Sequence, residues 1–351
     1  MSKLTICLLC GGQSTEHEVS LLSAKNVLAA ISREHYDVLV VGIEKDGTWR
    51  YFADEKFIVN ADDPRMVAIA QGGEVVFACK ADGKSVLARR NGGRPMPFDV
   101  IFPVLHGANG EDGAVQGLAQ LLDCPCVGCG MLASAICMDK DVAKRLLEYH
   151  GIKTAPWKVA MKGSTVDCEA IVNEFGLPLF VKPANAGSSV GVVKVRTMDD
   201  FLPALKEAWK FDKKVLIEKA MVGREIECAV LGNGTKTFCA VPGEIVPNVE
   251  FYSYDAKYTM DDGAELKAPA ELDDETRERI QSIAQDAYIC LGCSGMARVD
   301  FFLLKDGSIV LNEINTIPGF TQISMYPRLM GLSGIGYSEL VDKLVKLALE
   351  K

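Results

Sequence analysis

Runs of apolar residues and their spacing divide this chain into strands and helices. The apolar run 4–10 enters a turn at Gly11-Gly12, a helical stripe covers about residues 19–31, and the strand VLVVGI follows at 38–43. That order predicts a parallel βα unit. A further strand at 100–105 ends in His106 and the glycine-rich segment HGANGEDG. Polar residues gathered just past strand C-termini mark the ligand edge of an open α/β sheet. A second unit starts near Met131: a helix at 140–150 stops at Gly151, and a helix from about 165 to 175 stops before Gly176, as helices commonly do. Then come the strand PLFVKP, the loop ANAGSSVG, the strand VVKV, a helix near 199–211 and the strand VLIEK. The remainder holds strands near 226–231 and 238–241, the loop FYSYDAKY and a long helix over about 273–291. That helix carries Ile280, Ile283, Ala284, Ala287 and Tyr288 on one stripe, the spacing of a buried face. Two more strands, 297–304 and 309–315, follow it. No internal repeat is visible.

Composition narrows the function classes. With 351 residues the chain has room for two or three domains, each with its own core. A composition of 48% hydrophobic and 24% charged residues is that of a globular protein. The net charge of -9 argues against nucleic acid, whose phosphates require a basic face, and favours a small-molecule substrate. The twelve cysteines lie mostly in apolar runs, Cys7, Cys10, Cys228 and Cys239 among them, and read as reduced core thiols. Cys124, Cys126, Cys129 and Cys137 approach zinc-ligand spacing, but no second ligand pair or histidine follows, and Pro125 and Gly128 suit a strand and turn. The opening apolar run is too short for a signal peptide, and no run of about 18 apolar residues occurs. These features predict a cytoplasmic location with no membrane segment.

The last two strands carry the sharpest chemical signal. Lys305-Asp306-Gly307-Ser308 reads as a hairpin with a two-residue turn at 306 and 307. In that register Asp300 faces Glu313 and Arg298 faces Asn315, all four on one face. Nearer the turn, Phe302 would oppose Leu311 and Leu304 would oppose Ile309 on that face, while Val299/Ile314 and Leu303/Val310 pair on the other. Directly opposed carboxylates between apolar neighbours repel and are costly to desolvate, so a positive group is expected between them. A hard divalent cation on Asp300, Glu313 and Asn315 meets that need, and Mg²⁺ normally shares such a site with nucleotide phosphates. Arg298 adds a fork for a carboxylate or phosphate. The bland alternative is a solvated hairpin end with an Arg-carboxylate pair.

Other segments acquire meaning beside that site. In KPANAGSSVG the lysine precedes the glycines, so this is no Walker A loop. Gly187, Ser188, Ser189 and Gly191 can still hold phosphates, with Lys182 adding charge. Glu16 and Glu18 follow the Gly11-Gly12 turn at a helix start. Thr15-x-x-Glu18 fits an N-terminal cap, while Glu16 either caps or binds an amine. His106 lies at a strand end. The aromatic loop FYSYDAKY is either a packed surface loop or a closing lid.

Taken together, GGQSTEHEVS, HGANGEDGAVQG, Met138-Asp139-Lys140, VKPANAGSSVGV, YDAKY, GMARVDFF and NEINTIPGFTQISMYP make the chain resemble, from end to end, the D-alanine-D-alanine ligases of bacterial cell-wall synthesis, in the ATP-grasp superfamily. The resemblance implies an α/β fold, α+β in its C-terminal part, of three domains: an N-terminal parallel-sheet domain at 1–128, a central domain at 129–217 and a C-terminal one at 218–351. ATP would be gripped between the antiparallel sheets of the last two. Lys140 and Lys182 would contact phosphates, Glu218 and nearby backbone adenine, and Glu225 ribose. Ser188, Ser189, Lys219, Asn312 and Glu313 would complete the nucleotide contacts. Two Mg²⁺ or Mn²⁺ ions would sit on Asp300, Glu313 and Asn315. Glu16 would hold the ammonium of the first D-alanine and meet Ser188 and Tyr258 beneath a lid from which Lys257 reaches the transferred phosphate. His106, Ser324 and Met325 would border substrate, while Arg298 and the Gly319 amide would take an oxyanion. A homodimer is also implied.

The implied reaction is phosphorylation of one D-alanine carboxylate by ATP, followed by attack of a second D-alanine's amine, for peptidoglycan precursor synthesis. Tyr258 favours an amine nucleophile over D-lactate. D-Serine as the second substrate differs from D-alanine only by a hydroxyl, and Met325 stands where several relatives carry leucine. A non-catalytic ATP-binding sensor would have a broken metal set or lid, whereas here the lysines, Arg298, Asp300, Glu313 and Asn315 are all present.

Overall fold

The computed structural model describes residues 3–53, 56–248 and 264–350. The first apolar run forms β1 (Leu4–Gly11), and α1 (His17–Ala30) carries the chain to β2 (Tyr36–Ile43), parallel to β1. The helix starts one residue later than Thr15-x-x-Glu18 suggests: Glu16 holds the N-cap position without a side-chain cap, and Glu18 pairs with Lys45 at 2.6 Å. Between residues 44 and 99 the hydropathy pattern predicts no element, yet the chain continues through β3 (Trp49–Phe52), the short pair β4 (Ile58–Val59) and β5 (Ala68–Ile69), β6 (Glu74–Ala81), β7 (Lys84–Arg89) and β8 (Met96–Pro97). These strands escape the pattern because they are mostly short and many of their side chains are only half-buried, which blurs the alternation of buried and exposed positions. β9 (Val100–Val104) then returns parallel to β1, giving the order β8-β7-β6-β3-β2-β1-β9. The parallel core is therefore extended on one side by antiparallel strands.

After α2 (Ala114–Leu121), α3 (Met131–Met138) and α4 (Lys140–Tyr149) comes an antiparallel sheet. It contains β10 (Trp157–Met161), β11 (Leu179–Pro183), β12 (Val193–Val195) and β13 (Lys214–Lys219) in the order β10-β13-β11-β12, with α5 (Cys168–Phe175) and α6 (Met198–Ala208) packed on it. α5 starts later than its predicted residue 165 because the Asp167 side chain caps it by accepting from the Ala170 amide.

The second antiparallel sheet is built from β14 (Gly223–Asn233), β15 (Lys236–Cys239), β16 (Gly243–Pro247), β17 (Ala264–Lys267), β18 (Ser294–Leu304) and β19 (Ile309–Asn315). α7 (Asp274–Cys290) covers one face, burying Ile280, Ala284, Ala287 and Tyr288 as their spacing predicts. α8 (Met325–Leu332) and α9 (Tyr337–Leu349) close the chain. Their apolar residues join those of α1, β1 and β9 in one core, so the first and last parts of the chain are packed together rather than strung apart. All twelve cysteines are free thiols; Cys137 and Cys293 meet in the core with sulfurs 3.7 Å apart.

The β18–β19 hairpin pairs Asp300 with Glu313, Arg298 with Asn315 and Val299 with Ile314, as expected, but it reaches that register differently. The turn has three residues, 305–307. The Gly307 amide donates to the Leu304 carbonyl, the Leu304 amide donates to the Ser308 carbonyl, and of the turn residues Gly307 alone has positive φ, +79°. Next to the turn the pairs are therefore Phe301/Leu311, Phe302/Val310 and Leu303/Ile309, in place of the predicted Phe302/Leu311, Leu304/Ile309 and Leu303/Val310. A bulge at Asn312 restores the offset before Glu313. Both displacements are one residue, and they cancel. Their effect is that Ile309, Leu311 and Ile314 all reach the α7 core, while Glu313 and Asn315 still face away from it. Deleting Asn312 should leave Phe301/Leu311 and Asp300/Glu313 as adjacent pairs of an unbroken ladder, with every side chain on its present face. Chemical denaturation should then show a stability within about 1 kcal/mol of wild type, and a loss of about 3 kcal/mol or more would show that the bulge itself is required.

Candidate active site

The Gly11-Gly12 turn sets the first part of the site. A Cβ at Gly11 would stand 2.4 Å from the Ile43 carbonyl, so only glycine fits the turn that brings the chain back at residue 16. Ser20 on α1 accepts from the Gly11 amide at 2.7 Å, fixing the helix start. Glu16 is buried there, only 6% exposed, and accepts a hydrogen bond from the Ser188 hydroxyl. Its Oε2 lies against two glycines: a Cβ on Gly107 would come within 2.8 Å of it, and one on Gly187 within 2.7 Å. One carboxylate thus joins the end of β9, the start of α1 and the glycine-serine loop. In that loop Ser188 and Ser189 both hold positive φ, +46° and +60°, a conformation costly for residues other than glycine.

His106 is also buried. Its Nδ1 is 3.0 Å from the Ile317 carbonyl, which can only accept, so Nδ1 carries the proton and Nε2 accepts from the Ser23 hydroxyl at 3.1 Å. Ser23 in turn accepts from the Phe320 amide at 3.3 Å. Burial holds the imidazole below its ordinary pKa, which keeps it neutral and suits this role. The chain of bonds anchors the segment carrying Gly319 to α1 and β9. Glu111, which the sequence reading passed over within HGANGEDG, supports the same segment, accepting from the Gly107 amide at 2.6 Å and from the Ile317 amide at 3.4 Å. Burial, with Glu16 nearby, raises its pKa. Ser324 is the N-cap of α8, and its hydroxyl oxygen accepts from the Thr321 amide at 3.0 Å.

On the strand pair, each acid has its own cation. Arg298 grips Asp300 with both arms of its fork, Nε to Oδ1 at 2.8 Å and Nη2 to Oδ2 at 2.7 Å, and lies 3.1 Å from Glu227. Asn315 donates to Asp300 at 2.9 Å, which leaves its amide oxygen as an acceptor. Lys140 lies 3.5 Å from Glu313 and donates to the Ala186 carbonyl at 2.7 Å. The positive charge expected between the opposed carboxylates is thus supplied in this structure by Arg298 and Lys140. In this arrangement Arg298 is an ion-pair partner of Asp300 and Glu227. Glu227 was missed, although the alternation of Glu225 and Glu227 in an otherwise apolar strand is a signal; the β14–β18 register places it directly opposite Asp300.

Lys182 and Glu218 meet in the central sheet with Nζ 2.7 Å from Oε1. Lys144, also missed, lies 2.5 Å from the other oxygen of Glu218. It sits four residues after Lys140 on the buried side of α4, where spacing alone reads as core. Glu225 and Asn312 are half-buried and Lys219 is exposed. Lys257 and Tyr258, with the expected lid, lie outside the described residues. Glu16, His106, Ser188, Arg298, Glu313, Asn315, Gly319, Ser324 and Met325 line one cleft of about 920 Å³. Lys140 touches its edge through Glu313, whereas Lys182 and Glu218 lie outside it.

A family model described as the D-ala D-ala ligase N-terminus matches residues 5–129, and one described as the D-ala D-ala ligase C-terminus matches residues 146–346. The chain belongs to the D-alanine-D-alanine ligase family. It is 50% identical over 354 residues to D-alanine-D-alanine ligase A of Chromobacterium violaceum, covering 100% of this chain and 96% of the relative. Against ligase A of Escherichia coli K12 the identity is 46%, covering 100% and 97%. Two solved family structures superpose with TM-scores of 0.86 at 36% identity. One is the D-alanine-D-alanine ligase of Coxiella burnetii, covering 100% of this chain and 95% of that one. The other is the VanG D-Ala:D-Ser ligase of Enterococcus faecalis, covering 99% and 100%. This likeness supports the ATP-grasp fold class.

Glu111 gives this family member a pH signature. Its pKa is raised on folding, so between its ordinary value of 4.5 and the raised one the folded chain holds a proton that the unfolded chain has lost. Stability from this group is complete below 4.5 and declines as pH rises through the raised value. Glu111→Gln should flatten that decline in a series of melting temperatures, and an unchanged slope would rule out Glu111 as its source.

Proposed function

We propose that the cleft joins two D-alanines to D-alanyl-D-alanine, with ATP converted to ADP and phosphate through a D-alanyl phosphate. One observation carries the reading: a single cleft holds a buried carboxylate, Glu16, suited to an ammonium, together with Glu313 and Asn315, which the strand pairing sets opposite Asp300 and Arg298 in an arrangement suited to a cation-phosphate assembly. Glu16 takes the ammonium of the first D-alanine, with Ser188 as its hydrogen-bonding neighbour. That places the substrate carboxylate toward the strand pair. Lys140 and Lys182, each now resting on a carboxylate, have the charge to turn to phosphates as nucleotide arrives, with Glu218 on the adenine side and Glu225 on the ribose.

The donor set of Asp300, Glu313 and the Asn315 amide oxygen is all hard oxygen, as Mg²⁺ or Mn²⁺ requires. These three residues would hold the ions, which supply charge neutralisation for the transferring phosphoryl group. Asp300, held here by Arg298 and Asn315, would gain the ions as a further partner, and the fork of Arg298 becomes the donor for the oxyanion formed when the second amine attacks the acyl phosphate, with the Gly319 amide as the other donor. His106 and Glu111 act on this step indirectly, by fixing the segment that carries Gly319. Ser324 and Met325 border the second substrate. Exclusion of water from the cleft would protect the acyl phosphate from hydrolysis.

D-Alanine is favoured as the second substrate because the full-length relatives at 46–50% identity are named D-alanine-D-alanine ligases, whereas the D-Ala:D-Ser ligase stands at 36%. Product analysis with D-alanine, L-alanine, D-serine and D-lactate offered together with Mg-ATP tests the whole reading. D-Alanyl-D-alanine should dominate, with phosphate release that depends on D-alanine. Nucleotide binding without such release would indicate a sensor, and a mixed product ending in D-serine would reassign the second pocket.

A further inference from the structure

We propose that Lys144 is a positioning residue for nucleotide selection: buried behind Glu218, it holds that carboxylate ionised as a pure acceptor, so that the site takes an adenine and turns away a guanine. The proposal rests on the reading of ATP as co-substrate and of Glu218 as an adenine contact.

Lys144 is 1% exposed, yet it carries a charge into the packed side of α4. Its Nζ donates to the Ala155 carbonyl at 2.8 Å, lies 2.5 Å from Glu218 Oε2, and stands 5.2 Å from the centre of the Trp157 ring. A buried ammonium is costly unless paired, and these contacts supply the pairing. Glu218 comes from β13 and is flanked across the sheet by Trp157 on β10 and Phe180 on β11. Its other oxygen meets Lys182, the cation expected at the nucleotide. Two lysines thus share one buried acid, and only Lys182 is expected to be called away by nucleotide.

That division of labour has a chemical consequence. If Glu218 had Lys182 as its only cation, departure of Lys182 toward a phosphate would strand a buried carboxylate, which would take up a proton. A protonated carboxyl can donate as well as accept. Adenine presents an amino donor where guanine presents a carbonyl acceptor at the corresponding ring position. An ionised Glu218 accepts from the first and repels the second; a protonated one tolerates both. Lys144 keeps the acid ionised whatever Lys182 does. Burial would raise the pKa of Glu218, but Lys182 and Lys144 together hold it below its ordinary value; burial in turn lowers that of Lys144 to about 8, which still leaves it charged at neutral pH.

The test is steady-state kinetics of wild type, Lys144→Met and Lys144→Arg with ATP and with GTP. Lys144→Met should raise KM for ATP at least tenfold while leaving kcat at saturating ATP and KM for D-alanine within threefold. It should also shrink the ratio of kcat/KM for ATP over GTP at least tenfold. Lys144→Arg, which keeps the charge, should recover most of the ratio. A folded Lys144→Met enzyme with an unchanged ratio overturns the proposal. Should Lys144→Met not fold, Glu218→Gln serves instead: an amide both donates and accepts, so the ratio should fall in the same way, and a preserved ratio overturns the proposal equally. Wild-type enzyme with no D-alanine-dependent turnover of ATP would instead remove the reading on which the proposal rests, which separates the two failures.

Discussion

The opposition of Asp300 and Glu313 across two paired strands is the constraint around which the site is organised. Two carboxylates fixed face to face beside an apolar layer cannot stay ionised without cations, and the fold brings one to each. Arg298 reaches Asp300 from two residues away on the same strand. Lys140 reaches Glu313 from the start of α4. Lys140 also bonds the glycine-serine loop, so the same cation that compensates the strand pair ties it to the central part of the chain.

A similar exchangeable arrangement recurs where Lys182 rests on Glu218. In both places a lysine expected to meet phosphate is already held by an internal acid. Nucleotide phosphate and its metal ions can replace these internal partners without leaving a buried charge bare, provided each acid has another cation to fall back on. Asp300 and Glu313 would have the proposed metal ions, and Glu218 has Lys144. At the other end of the cleft, Glu16 is held between Gly107, Gly187 and Ser188, so parts of the chain far apart in sequence are brought to one carboxylate.

Much of this was legible in the sequence where the signal is local. The βα unit, the stripe on α7 and the facing of Asp300 with Glu313 all follow from periodicity. The hairpin is instructive because its register at the site was read correctly through a turn that the chain does not make: the three-residue turn and the Asn312 bulge offset each other, and a bulge has no period to betray it. The strands between residues 44 and 99 were missed because a half-buried antiparallel ribbon of mostly short strands lacks the contrast of one with a fully buried face. Lys144, Glu111 and Glu227 were missed for a different reason. Each acts through a partner distant in sequence, and a lysine on a buried stripe or an acid inside a glycine loop shows its purpose only when that partner is in place. The ion pair of Arg298 with Glu227 was illegible for the same reason.

The account's central claim is that the strand-pair carboxylates are a cation site whose present partners yield to metal. Mn²⁺ binding in the presence of ADP, followed by electron paramagnetic resonance, tests it most directly by comparing wild type with Asp300→Asn. The account predicts that wild type binds Mn²⁺ and that the substitution weakens the binding at least tenfold, about 1.4 kcal/mol. Equal Mn²⁺ binding by both proteins would contradict it.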